Sequence, residues 1–89
     1  DKNFPANKFV NLINEFPSSS IILNAGNEIL VDLFLKKNIQ FNSIIKYLSS
    51  LLRDKNYKKY AIKKPKNINE ILIIDRWARE RVLKKVNIK

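Results

Sequence analysis

Glu28 and Asp32, one helical turn apart, are the residues in this sequence best spaced to hold a divalent cation. At i and i+4 two carboxylates can share a helix face, and a hard ion such as Mg²⁺ takes oxygen ligands of that kind. Acids near a helix start also complement the helix dipole, and we read this pair in that structural way. A second charged set, Asp75, Arg76, Arg79 and Glu80, forms an i, i+4 lattice that stabilises a helix without doing chemistry. Asp75 falls on the apolar side of its helix, so it is expected to bond a cap or backbone group inside a bundle. Trp77 reads as a core or interface anchor whose N–H needs a partner if buried. The third candidate is the lysine-rich stretch around Tyr57 and Tyr60, where rings could stack bases while lysines engage phosphates. Nothing in the sequence carries a nucleic-acid fold signature beside it. A solvated loop with its tyrosines packed back on the bundle is therefore the favoured expectation.

Absent residue types remove most other chemistry. Without histidine there is no imidazole base or ligand, and without cysteine no thiol nucleophile, zinc knuckle or disulfide. One glycine, Gly26, cannot build a phosphate-cradling loop. Catalytic, cofactor-binding and metal-binding residues are accordingly expected to be none. The longest apolar runs, such as residues 71–74, fall far short of the roughly 20 residues of a membrane span, and no signal peptide is evident. A soluble domain is expected. The chain opens on Asp1 and contains no methionine, which favours a piece of a longer protein. Its net charge of +10 invites a nucleic-acid reading. Lysine, asparagine and isoleucine all have A/T-rich codons, however, and a biased genome would enrich lysine on the surface without any polyanion.

The elements that must carry these residues are helical. Pro5 suits a first turn, and Phe9, Leu12, Ile13 and Phe16 follow at i, i+3, i+4 and i+7 until Pro17, predicting a helix over residues 5–16. Ser18, Ser19 and Ser20 read as a connection. Asn24 is a candidate N-cap for a helix over 24–37 that buries Ile29, Leu30, Leu33 and Phe34, with Lys36 and Lys37 in its last turn and Asn38 as a stop. Asn42 then caps a helix over 42–53 with Ile44, Ile45, Leu48, Leu51 and Leu52 along one face. Residues 53–67 form a basic connector. Asn67 and Glu70, spaced as a capping box, open a helix over 68–86 whose shared face holds Ile68, Ile71, Leu72, Asp75, Ala78 and Val82, with Trp77 flanking it. The fold class is all-α, a compact bundle of about four helices in one domain, residues 1–89.

The run Ile22-Leu23-Asn24-Ala25-Gly26-Asn27-Glu28-Ile29-Leu30-Val31-Asp32-Leu33-Phe34-Leu35, followed by Ile39, Gln40, Phe41 and Ile44, carries a resemblance. It is similar to the L-N-A-A-N-E…V…F-L…I-x-F…I pattern in the C-terminal helical domain of 1-deoxy-D-xylulose-5-phosphate reductoisomerase. Phe4-Pro5 resembles the step opening that domain, and Asp75, Ala78 and Arg79 resemble the D-x-x-A-R of its last helix. Gly26 stands where the family commonly has alanine, the turn after Phe16 lacks the usual glycine, and the connector is unusually rich in lysine. The resemblance implies a parent enzyme that rearranges 1-deoxy-D-xylulose 5-phosphate and reduces the product with NADPH to 2-C-methyl-D-erythritol 4-phosphate. It also implies Mg²⁺ or Mn²⁺ as the metal and a place in non-mevalonate isoprenoid biosynthesis. The nucleotide and metal sites of that family lie in other domains, so this domain is expected to bind neither cofactor. It is expected to be inactive alone and to support the catalytic and nucleotide-binding domains, within a homodimer. The parent is expected in the bacterial cytoplasm or, in a eukaryote, the plastid stroma. Asn24, Asn27, Glu28, Leu33, Phe34, Asp75, Trp77 and Arg79 are then structural residues. The rival expectation is a basic helical nucleic-acid-binding module, with no membrane role in either case.

Overall fold

A run as apolar as residues 21–35 needs partners on several sides, and its helix is long enough to meet them. In the computed structural model, which describes residues 16–86, α1 spans Ser19–Leu35, α2 Phe41–Leu52, α3 Tyr57–Ala61 and α4 Ile68–Val86. These four helices, with no strand among the described residues, make an all-α bundle in which α1 packs against both α2 and α4. The helix expected over residues 5–16 lies outside the described residues, apart from Phe16 at its end.

α1 starts five residues earlier than an Asn24 cap would place it, and Asn24 is an exposed residue inside the helix. The serines read as a connection are the reason. The Ser18 N–H donates to the Ala61 carbonyl at 2.9 Å, the Ser18 hydroxyl donates to the Lys63 carbonyl, and the Ser19 and Tyr57 hydroxyls bond to each other. With both serines fully buried, these bonds pin the start of α1 to α3 and satisfy polar groups that would otherwise be costly inside the bundle.

The other end of α1 is also displaced. It stops at Leu35, so Lys36 and Lys37 follow the last turn and do not lie in it. Lys37 takes a left-handed conformation, φ 63°, where glycine is usual. The Lys37 N–H reaches the Phe34 carbonyl at 2.9 Å and the Asn38 N–H the Leu33 carbonyl at 2.8 Å, the paired bonds of a Schellman motif. Asn38 thus closes the helix through its backbone.

α2 begins one residue before Asn42, and extended Gln40 precedes it without a side-chain cap. Ile44, Leu48 and Leu51 enter the core, whereas Ile45 stays 40% exposed. The connector is not a plain loop. It folds into α3, which buries Tyr57 and Ala61. α4 opens on the expected pair, with the Glu70 N–H bonded to Asn67 Oδ1 at 3.0 Å. Glu70 reaches back one residue further than a strict capping box, accepting from the Lys66 N–H at 2.7 Å.

The buried face of α4 is rotated from the one expected. Ile74, Trp77, Ala78 and Val82 pack inward, while Ile68, Ile71 and Leu72 are exposed. α4 packs against both α1 and α2 through this inward face.

Gly26 sits mid-helix, tight against α2 and α4. A methyl group there would stand 3.0 Å from Leu51 Cδ2 and 3.2 Å from Val82 Cγ2. Helix propensity favours alanine by about 1 kcal/mol, and the crowding offsets that gain. Gly26→Ala is therefore expected to change stability little, and Gly26→Val to lower it by about 1–3 kcal/mol through overpacking. Urea unfolding followed by circular dichroism checks both, and a stabilised valine variant would contradict the close approach.

Candidate functional site

Arg79 of α4 is half-buried and reaches across to α1. Its Nη2 lies 2.9 Å from Glu28 Oε1 and its Nε 2.9 Å from Asp75 Oδ2. One guanidinium thus joins two carboxylates from two helices, a fixed fork that lysine could not reproduce. The bond to Asp75, and then that to Glu28, raises the Arg79 pKa further above its ordinary value. Three residues singled out from sequence, Glu28, Asp75 and Arg79, therefore meet in one network. Asp75 differs from expectation in bonding Arg79, with no cap or backbone partner seen among the described residues.

Asn24 and Asn27 lie beside this network and are exposed. They line an open groove of about 760 Å³ with Ser20, Leu23, Ile71 and Asp75. A second open groove of about 540 Å³ shares Asn27 and runs past Glu28, Asp32 and Arg79. Leu33 is buried, and half-buried Phe34 meets Phe41 edge to face at 5.5 Å.

The Glu28–Asp32 pair is not arranged as a divalent-cation site. Glu28 is held by Arg79, and Asp32 pairs with Lys36 at 3.0 Å. No three His, Cys, Asp or Glu side chains gather among the described residues. Both acids of the i, i+4 pair meet a cation of their own. Because α1 starts at Ser19 they lie past its middle, so the expected pairing with the dipole at a helix start does not hold.

The tyrosines of the connector are turned inward. Tyr57 is 2% exposed and lies edge-on to Phe16 at 5.9 Å. Burial raises its pKa, although the Ser19 bond acts in the opposite direction. Tyr60 stacks on Trp77 at 4.6 Å and 14°, and the Arg81 guanidinium lies 5.8 Å from the Trp77 ring. Lys59 and Lys63 lie near Tyr60 at 5.6 and 6.0 Å. Neither ring matches the open base-stacking platform that a nucleic-acid reading calls for. Buried Trp77 acts as a core anchor, but its Nε1 finds no hydrogen-bond partner among the described residues.

Asp54 is an acid that no local motif in the sequence marks. Its side chain is 6% exposed, 3.0 Å from Lys85 Nζ and 3.7 Å from Arg81 Nε, and it accepts the Asn56 N–H at 2.9 Å. It joins the α2–α3 turn to the end of α4. The available signal was one acid inside a basic run, matched by two cations at i, i+4 on the last helix.

These features define a small helical domain whose acidic side chains are largely paired with its own cations and backbone. The chain matches the family described as DXP reductoisomerase C-terminal domain over residues 1–81. It is 39% identical over 74 residues to 1-deoxy-D-xylulose 5-phosphate reductoisomerase of Francisella tularensis subsp. novicida (strain U112), covering 83% of this chain and 18% of that enzyme. The same enzyme of Helicobacter pylori (strain Shi470) is 35% identical over 74 residues, covering 83% of this chain and 19% of the enzyme. No solved structure matches significantly. The chain belongs to the DXP reductoisomerase C-terminal domain family, and it spans less than a fifth of the length of the curated relatives it matches.

Proposed function

We propose that this domain is the supporting C-terminal part of a longer reductoisomerase and does no chemistry of its own. The parent would rearrange 1-deoxy-D-xylulose 5-phosphate and reduce the product with NADPH to 2-C-methyl-D-erythritol 4-phosphate, a step of non-mevalonate isoprenoid biosynthesis. NADPH and Mg²⁺ or Mn²⁺ would be held by its nucleotide-binding and catalytic domains, within a homodimer. Its place would be the bacterial cytoplasm or a plastid stroma. The observation that carries this reading is the family match over residues 1–81. The internal pairing of Glu28, Asp32 and Asp75 supports a structural use for these acids.

The test is turnover by the full-length protein. NADPH oxidation should depend on both 1-deoxy-D-xylulose 5-phosphate and a divalent cation. A folded full-length protein that oxidises no NADPH with that substrate would overturn the proposal.

A further inference from the structure

Cations are distributed unevenly along this chain. It has 18 lysines and arginines, yet none lies between Lys8 and Lys36, and none between Lys66 and Arg76. The first gap contains all of α1, and the second contains the first two turns of α4. The fold brings the two together, since Ser20, Asn24 and Asn27 of α1 share a groove with Ile71 and Asp75 of α4.

Solvent-facing positions outside this region do carry lysine, as at Lys55, Lys58, Lys59, Lys63, Lys64 and Lys84, all exposed. On the groove side, Asn24 and Asn27 are exposed without being lysine. Ile68 is 71% exposed and Leu72 52%, and both remain apolar. A composition that enriches lysine at the surface should have reached these positions as well. Centres of protein interfaces are depleted of charge, and lysine in particular is scarce there. The carboxylates of the face are already engaged, Glu28 and Asp75 by Arg79 and Asp32 by Lys36. What the face offers a partner is apolar surface and side-chain amides, beside carboxylates already paired with cations.

We propose that the lysine-free face, the outer side of α1 with the first two turns of α4, docks on the remainder of the same parent polypeptide. The inference rests on the reading that this domain belongs to a longer reductoisomerase. The chain covers 18% or 19% of its relatives' length, so most of such a parent lies outside the structure. A covalently attached partner is also present at high effective concentration. An uncharged, shape-matched protein surface fits this face. A polyanion would go to the exposed lysines of the connector instead.

Hydroxyl-radical footprinting of the unsubstituted full-length protein tests the assignment. Ile62, 62% exposed on the basic connector, is a chemically matched control for Ile68, and intervening lysines let proteolysis separate the two. Ile68 and Leu72 should oxidise at least about tenfold more slowly than Ile62. Oxidation of Ile68 and Leu72 as fast as Ile62 overturns the proposal, and so does equal protection of all three. Turnover measured on the same preparation separates the two readings. Turnover without protection removes the docking face and leaves the enzyme reading standing. Protection without turnover keeps the docking face and removes the reductoisomerase.

Discussion

Leu51→Ala is expected to lower the unfolding free energy by about 3–5 kcal/mol, the upper part of the range for truncating a buried leucine. Leu51 is fully buried on α2 and packs against Gly26 of α1. Its removal opens a cavity that three rigid helices can only partly fill. A domain of this size has a total stability of about 5–13 kcal/mol, so the loss is a large fraction of the whole. Leu35→Ala is the control. Leu35 is 71% exposed, and its truncation should change stability by no more than about 0.5 kcal/mol. Urea unfolding of the 89-residue chain reads both, and equal midpoints would mean that the core is wrongly placed.

Asp54→Ala should cost about 2–3 kcal/mol at neutral pH, because it leaves Arg81 and Lys85 without their shared carboxylate and removes an acceptor from the Asn56 N–H. Burial alone would raise the Asp54 pKa. The Asn56 N–H and Lys85, with Arg81, outweigh it and hold the carboxyl below its usual value of 3.8. A folded pKa below the unfolded one means stability that is fully present above the unfolded value and lost as pH falls through the folded one. The gap in unfolding free energy between the wild-type chain and Asp54→Asn should therefore be largest at neutral pH and shrink below about pH 4. A gap that is constant from neutral pH down to about pH 2 would show that the charge of Asp54 contributes nothing.

What could be read from the sequence follows the range of each signal. α2 and α4 were placed within a residue at their starts, because amphipathic spacing and the Asn67–Glu70 pair act within a turn or two. The start of α1 was misplaced because the deciding bonds are non-local. Ser18 is tied to Ala61 and Lys63, and Ser19 to Tyr57, across more than 35 positions. Asn24 looked like a cap only while those partners were out of view. Likewise Tyr57, Tyr60 and Ala61 stand at i, i+3 and i+4, but a single turn among lysines is too short a signal, and α3 is held by what it packs against. On α4 the i, i+3, i+4 face through Ile68, Ile71 and Leu72 is real, but an amphipathic pattern does not say what covers it. The Glu28–Arg79 contact joins residues 51 positions apart, so the sequence could name both and not their meeting.

Support without chemistry is tested most directly by Glu28→Gln, Asp75→Asn and Arg79→Gln in the full-length enzyme, each measured for kcat beside its thermal unfolding curve. kcat should stay within about twofold of the unsubstituted enzyme, with any larger loss accompanied by a lower Tm. A fall of about 10²-fold in kcat at unchanged Tm would contradict it, and would place this network in the catalytic machinery.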